Sequence, residues 1–235
     1  MGLNQSTKGN RTFVSIVQGQ WAQRVTQETP NSVKRIIEKK DGSKKEVWEL
    51  NYDTVDGKIT SIEIDETGDF GDQLKINMVD GGEFFTVTLS MAGREAKGFL
   101  CVLKNVDLKT NITLAPYNFT SKEDGRQVIG MNIYQGGVGK EFKVKPYFSK
   151  ETPNGLPQVP EGSDKDEFKI VMKQQEIYLK KWAKKFITDN FADSKVATAD
   201  HQAISDRAMT NAGKRDEKIY TNASTVDPDS NNLPF

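Results

Sequence analysis

Lysine and aromatic residues interleave in Phe142-Lys143-Val144-Lys145-Pro146-Tyr147-Phe148. Read as a strand, this stretch puts Phe142, Val144 and Phe148 on one face and Lys143, Lys145 and Tyr147 on the other. In residues 129–135, Ile129, Met131 and Ile133 share a face, and Asn132 and Tyr134 lie opposite. Paired around Gly136-Gly137-Val138-Gly139, the two strands would gather Tyr134, Lys143, Lys145 and Tyr147 on one polar face. Ammonium groups beside aromatic rings suit a polyanion with stacking bases, because the cations meet phosphates and the rings meet bases. An ordinary solvated strand face is the competing reading. Trp21 with Arg24, Arg35 with Lys39 around Ile36, and Lys97 with Lys104 around an apolar run extend the candidate set. Trp48 and Tyr52 share a face with Leu50, so core packing is expected of them.

Other chemistries lack material. The one histidine, His201, and the one cysteine, Cys101, leave no histidine metal site, Ser-His-Asp triad, disulfide or cysteine-based zinc cluster. Cys101 sits in Phe99-Leu100-Cys101-Val102-Leu103 and reads as a small buried hydrophobe. Gly136-Gly137-Val138-Gly139-Lys140-Glu141 has glycines and a lysine, but not the spacing of a phosphate-binding loop, and Glu141 stands where a magnesium-binding hydroxyl is needed. The acidic run from Asp65 to Asp72 does not match a calcium loop and reads as solvated. No general acid–base pair emerges. The expectation is a non-enzymatic protein with no cofactor and no metal.

Several elements must position these residues. Short β-branched and aromatic runs occur at 12–17, 21–27, 33–39, 46–52, 59–64, 74–78, 84–90, 99–104, 112–114, 127–135 and 141–148. Asp-Gly and Gly-Gly breaks between them supply the positive φ angles of tight hairpins. With no helix between them, these runs predict a mainly β domain over 1–150, an antiparallel barrel or sandwich. A Pro/Gly linker follows over 151–163. Phe168, Val171, Met172, Tyr178, Leu179, Trp182 and Phe186 then recur at helical spacing and predict an amphipathic helix over 164–191, with Asp164 and Glu167 as a capping box. Its lysines read as a solvated face, with phosphate contact the lesser alternative. Residues 192–235 lack a sustained apolar face and read as a disordered acidic tail.

The net charge is zero, but its distribution is uneven: eight acids and five bases from Thr188 onward, against 25 acids and 28 bases before it. The chain has no long apolar span and no apolar leader near Met1, so no membrane contact and a cytoplasmic setting are expected.

The last nine residues, Asp227-Pro228-Asp229-Ser230-Asn231-Asn232-Leu233-Pro234-Phe235, resemble the C-terminal tip of bacterial single-stranded-DNA-binding proteins. Asp227, Asp229, Leu233, Pro234 and Phe235 match; Ser230, Asn231 and Asn232 replace further acids. A ring beside a free carboxylate suits an apolar pocket with a basic rim on a partner protein. Within 46–150, four stretches resemble single-stranded-DNA-binding proteins of large tailed bacteriophages, including crAss-like phages. They are Trp48-Glu49-Leu50-Asn51-Tyr52-Asp53 with Gly57-Lys58-Ile59, Gly98-Phe99-Leu100 through Asn105-Val106-Asp107, Leu114-Ala115-Pro116-Tyr117, and Ile133-Tyr134-Gln135. The resemblance implies an OB-type barrel without catalytic activity. It also implies sequence-independent ssDNA binding during replication and recombination, in the cytoplasm of an infected bacterium. The tip would recruit replication or recombination proteins, and a homo-oligomer is open. The alternatives are a β-rich phage structural or interaction protein, and a nuclease or nucleotide-processing enzyme using the Asp65–Asp72 acids.

Overall fold

The computed structural model describes residues 11–38, 42–67 and 71–191. The described residues up to Asn190 form one compact unit, and residues 192–235, expected as a disordered acidic tail, lie outside the described residues. Lys39 and the terminal residues Asp227, Asp229, Leu233, Pro234 and Phe235 lie outside the described residues.

Nine strands form one curled sheet: β1 (Thr12–Val17), β2 (Gln20–Val25), β3 (Val33–Glu38), β4 (Lys44–Tyr52), β5 (Val55–Asp65), β6 (Gln73–Asp80), β7 (Glu83–Ser90), β8 (Ile112–Thr120) and β9 (Gln127–Gln135). Their order is β3-β4-β2-β1-β7-β6-β5-β8-β9. All neighbours are antiparallel except β1 and β7, which run parallel. The sheet is an open half-barrel and not the closed barrel expected. Near the C-terminal end of β9 the Val144 amide donates to the Ile133 carbonyl and Lys143 bridges to Tyr134, so there an irregular segment, and not β3, lies beside β9.

Paired residues share a face, so the registers sort the side chains. The inner face carries Trp21, Ile62, Leu74, Ile76, Met78 and Val87, all 0% exposed. Two helices complete this core. Helix α1 (Arg94–Val102) continues into a single 3₁₀ turn, Leu103–Asn105. Residues 99–104 were expected as a strand, and the structure corrects this. Ala96, Phe99, Leu100 and Leu103 are buried at steps of three, one and three. Their helical period begins at Ala96, before the apolar run, and the run hides it because the segment is covered on several sides.

The segment 141–148 is likewise not a strand. It opens with a 3₁₀ turn, Lys140–Phe142, and then follows an irregular path. Pro146 has no N–H to give a ladder. The Tyr147 and Phe148 amides both donate to the Cys101 carbonyl of α1, at 2.7 and 3.1 Å.

Helix α2 covers 165–191. The capping box forms as the sequence predicts. Asp164 Oδ1 accepts from the Asp166 and Glu167 amides at 2.8 Å each, and Glu167 Oε2 accepts from the Asp164 amide at 3.2 Å. Leu179, Ala183, Phe186 and Ile187 are its buried stripe, whereas Phe168, expected on that stripe, is exposed. Phe148 meets the Tyr178 and Trp182 rings edge-on, at 5.8 and 5.1 Å between centroids.

The acidic run holds α2 in place. Lys180 bonds both Asp72 and Glu66, and Lys184 bonds Glu66 at 2.8 Å. Two of the helix lysines therefore also act as structural clasps, while Lys173, Lys181, Lys184 and Lys185 are exposed as a solvated face. Lys180 and Lys184 hold the Glu66 carboxyl down at about 2. A lowered folded value means the clasp stabilises above the ordinary carboxylate range and is lost as pH falls toward 2. The stability gap between wild type and Glu66→Gln, read by urea melts, is therefore full at pH 6 and closes between about pH 4.5 and 2. A gap that persists at the acid end would disprove the clasp.

Candidate nucleic-acid interface

The outer face of the sheet carries two exposed rings of β1 and β7. Phe13 of β1 and Phe84 of β7 are 63% and 48% exposed, far above what a ring buried in a core shows. Phe13 pairs with Thr86, and Phe84 lies one pleat along the same face as Thr86. Beneath them runs a polar network. Thr86 Oγ1 donates to Asn77 Oδ1 at 2.7 Å, and Asn77 Nδ2 donates to Ser61 Oγ and Glu63 Oε1 at 2.8 and 3.0 Å. These bonds satisfy a buried amide and fix the plane on which the rings stand.

Cations flank the rings. Arg11 is exposed and shares the alternation of Phe13. Lys58 pairs with Val79, which itself pairs with Phe84, so it belongs to the same face. On the other side, Arg24 of β2 lies opposite Glu49 of β4. Arg35 of β3 grips Glu49 with two bonds at 2.8 and 2.7 Å, and Arg24 Nε stands 3.5 Å from it. The Arg35 guanidinium holds the Glu49 carboxyl below its ordinary range. Two guanidinium groups on one buried carboxylate leave a net positive charge, and Arg24 remains 62% exposed at its side chain. The arrangement offers ring faces and cations on one continuous surface, which is what a sequence-tolerant single strand needs.

A second aromatic group lies on the outer face of β8 and β9. The Tyr117 and Phe119 rings are 5.9 Å apart. Tyr117 pairs with Gly130, and a Cβ there would fall 2.3 Å from the Tyr117 hydroxyl oxygen. Only glycine lets Tyr117 lie flat across β9.

Of the residues singled out from sequence, the structure brings together Arg24 and Arg35, and separately Tyr134 and Lys143. The four-residue face of Tyr134, Lys143, Lys145 and Tyr147 does not form. Without a strand there is no alternation, and Tyr147 turns toward α1 and packs edge-on against Phe148 at 4.8 Å. Lys145 is exposed, and its carbonyl accepts from Asn105. Trp21 offers no stacking face, because it is 0% exposed and its Nε1 donates to the Leu114 carbonyl at 2.9 Å. Lys97 lies beneath α2, bonded to Gln175 at 2.5 Å, and burial pushes its ammonium down from the ordinary lysine range. Lys104 stands over the Phe186 ring at 5.9 Å. In β4, Trp48, Leu50 and Tyr52 share the inner face with Trp21, but Trp48 and Leu50 are only half-buried and Tyr52 is exposed, whereas Val47 and Glu49 on the outer face are buried.

Phe13, Phe84, Arg11 and Lys58 were missed. Both alternating sets of β1, Thr12-Val14-Ile16 and Phe13-Ser15-Val17, are mixed, so its outward face is not readable without the partners. Among the described residues, no group of three potential metal ligands occurs, and no helix is long and apolar enough to cross a membrane. No family model, curated protein or solved structure matches the chain.

Proposed function

We propose that this chain binds single-stranded DNA without sequence preference, using the outer face of its half-barrel. The observation that carries the reading is the pair of exposed rings, Phe13 and Phe84, set among Arg11, Arg24, Arg35 and Lys58. Rings would stack on bases, and guanidinium and ammonium groups would track phosphates. Tyr134 and Lys143, with Tyr117 and Phe119, would serve as a second stacking area on the same sheet. In this reading the sheet is a partly open relative of the OB-type barrel, and the protein acts without catalysis in phage replication and recombination inside a bacterial host. Asp227, Asp229, Leu233, Pro234 and Phe235 would recruit replication or recombination partners.

The test is fluorescence anisotropy of a labelled oligo-dT at several salt concentrations. Intrinsic quenching is a poor readout, since Trp21 is buried, Trp182 packs between Phe148 and Phe186, and Trp48 lies on the inner side. Four cations on phosphates predict a log–log salt slope of roughly −3. Equal affinity for duplex and single strand would overturn the proposal. So would no binding of any oligonucleotide, which would leave a β-rich interaction protein.

A further inference from the structure

The two edges of the sheet are not alike. The β9 edge is occupied by Lys143 and Val144. The β3 edge has nothing beside it among the described residues, and β3 pairs only with β4. An open edge is ordinarily blunted by charge, proline or a bulge. β3 has no proline and no register break, and its cations are already engaged within the sheet. Lys34 bonds Glu46 at 2.8 Å, and Arg35 bonds Glu49. Ile36, in the middle of the strand, is 59% exposed, and Val33 is 54% exposed.

We infer that β3 is the pairing edge for a second copy of this chain, aligned antiparallel about Ile36. The strand reads Val33-Lys34-Arg35-Ile36-Ile37-Glu38. Centred on Ile36, the register sets Ile36 against its own copy and Lys34 against the second copy's Glu38, twice by symmetry. Arg35 then lies opposite Ile37. Lys34 has three donor protons, so its bond to Glu46 leaves two for the second carboxylate. The other registers that keep the faces aligned are worse. Centring on Arg35 sets guanidinium against guanidinium, and centring on Ile37 sets Ile36 against a carboxylate. Opposite charges and a β-branched pair across neighbouring strands both favour pairing, while like charges oppose it. The interface is isologous and closes as a dimer with no further edge of this type exposed.

Pairing in this register keeps the outer faces of both copies on one side. The Arg24–Glu49–Arg35 clusters of the two copies would then flank the symmetry axis and double the cationic track. That last consequence rests on the nucleic-acid reading; the pairing itself does not.

Sedimentation of the free full-length chain tests the pairing without DNA. A mass near twice 26.3 kDa is expected. Ile36→Lys, at an exposed position, places like charges on the axis and should give a monomer with an unchanged far-UV circular dichroism spectrum. Lys34→Glu and Glu38→Lys should each be monomeric alone, and a one-to-one mixture of these two variants should recover the dimer. A monomeric wild type at micromolar to hundred-micromolar concentration would overturn the inference. A dimer untouched by Ile36→Lys, or no recovery on mixing, would equally overturn it. Oligo-dT binding is read separately, so a monomer that binds DNA and a dimer that does not are distinguishable results.

Discussion

Replacing Phe13 or Phe84 by alanine weakens oligo-dT binding by roughly 5- to 150-fold each, the range set by a stacking contribution of about 1–3 kcal/mol per base. Both rings are largely solvent-exposed, so neither truncation opens a cavity, and the melting temperature should hardly move. The salt slope should stay fixed, because no phosphate contact is removed. Arg24→Ala should do the opposite. It should weaken binding modestly and flatten the slope by about 0.7, the share of one phosphate on a single strand. The contrast separates stacking from charge. Arg35→Ala is a poor substitute for it, because Arg35 holds the buried Glu49 carboxylate and its loss would leave that charge without its main partner. Phe119→Ala reports on the second aromatic group by the same measurement. If Phe13→Ala and Phe84→Ala bind oligo-dT as wild type does, the outer face is not the stacking platform.

Much of the strand framework was legible. β1 and β9 lie at the residues that alternation marks, and the turn at Asp80-Gly81-Gly82 joins β6 to β7. The capping box at Asp164 formed because its two carboxylates act locally, within one turn. What failed was decided by distant partners. Residues 99–104 look like a buried strand until Ala96 is included, and their cover comes from β9 and α2, both later in the chain. Residues 141–148 alternate well, but their amides are claimed by Ile133 and by Cys101.

The candidate site was less legible than the fold. A strand's pattern does not say which face turns outward when both faces hold apolar residues. In β4, alternation puts Trp48, Leu50 and Tyr52 together on the inner face, yet Val47 and Glu49 on the outer face are the more buried pair. Glu49 is buried on the outer face because Arg35 and Arg24 cover it and satisfy its charge, and that ion cluster depends on the β2-β4-β3 order. Composition carries no trace of strand order.

Trp21 shows the same point with the larger energetic consequence. Its indole lies on the inner face, and its Nε1 bond to the Leu114 carbonyl ties β2 to β8 across the opening of the half-barrel. Trp21→Ala should cost about 3–5 kcal/mol in urea unfolding, the range for truncating a fully buried large aromatic. Against a total of about 5–15 kcal/mol for a domain, that is a large share. Trp21→Phe keeps most of the packing but removes the donor, and should cost about 1–3 kcal/mol. The binding readout discriminates between the two roles the residue could have. As a stacking platform, Trp21→Phe would change oligo-dT affinity while leaving stability nearly intact. As an inner strut, it lowers stability and leaves affinity unchanged at temperatures where the variant is folded. The zero exposure of the ring requires the second outcome.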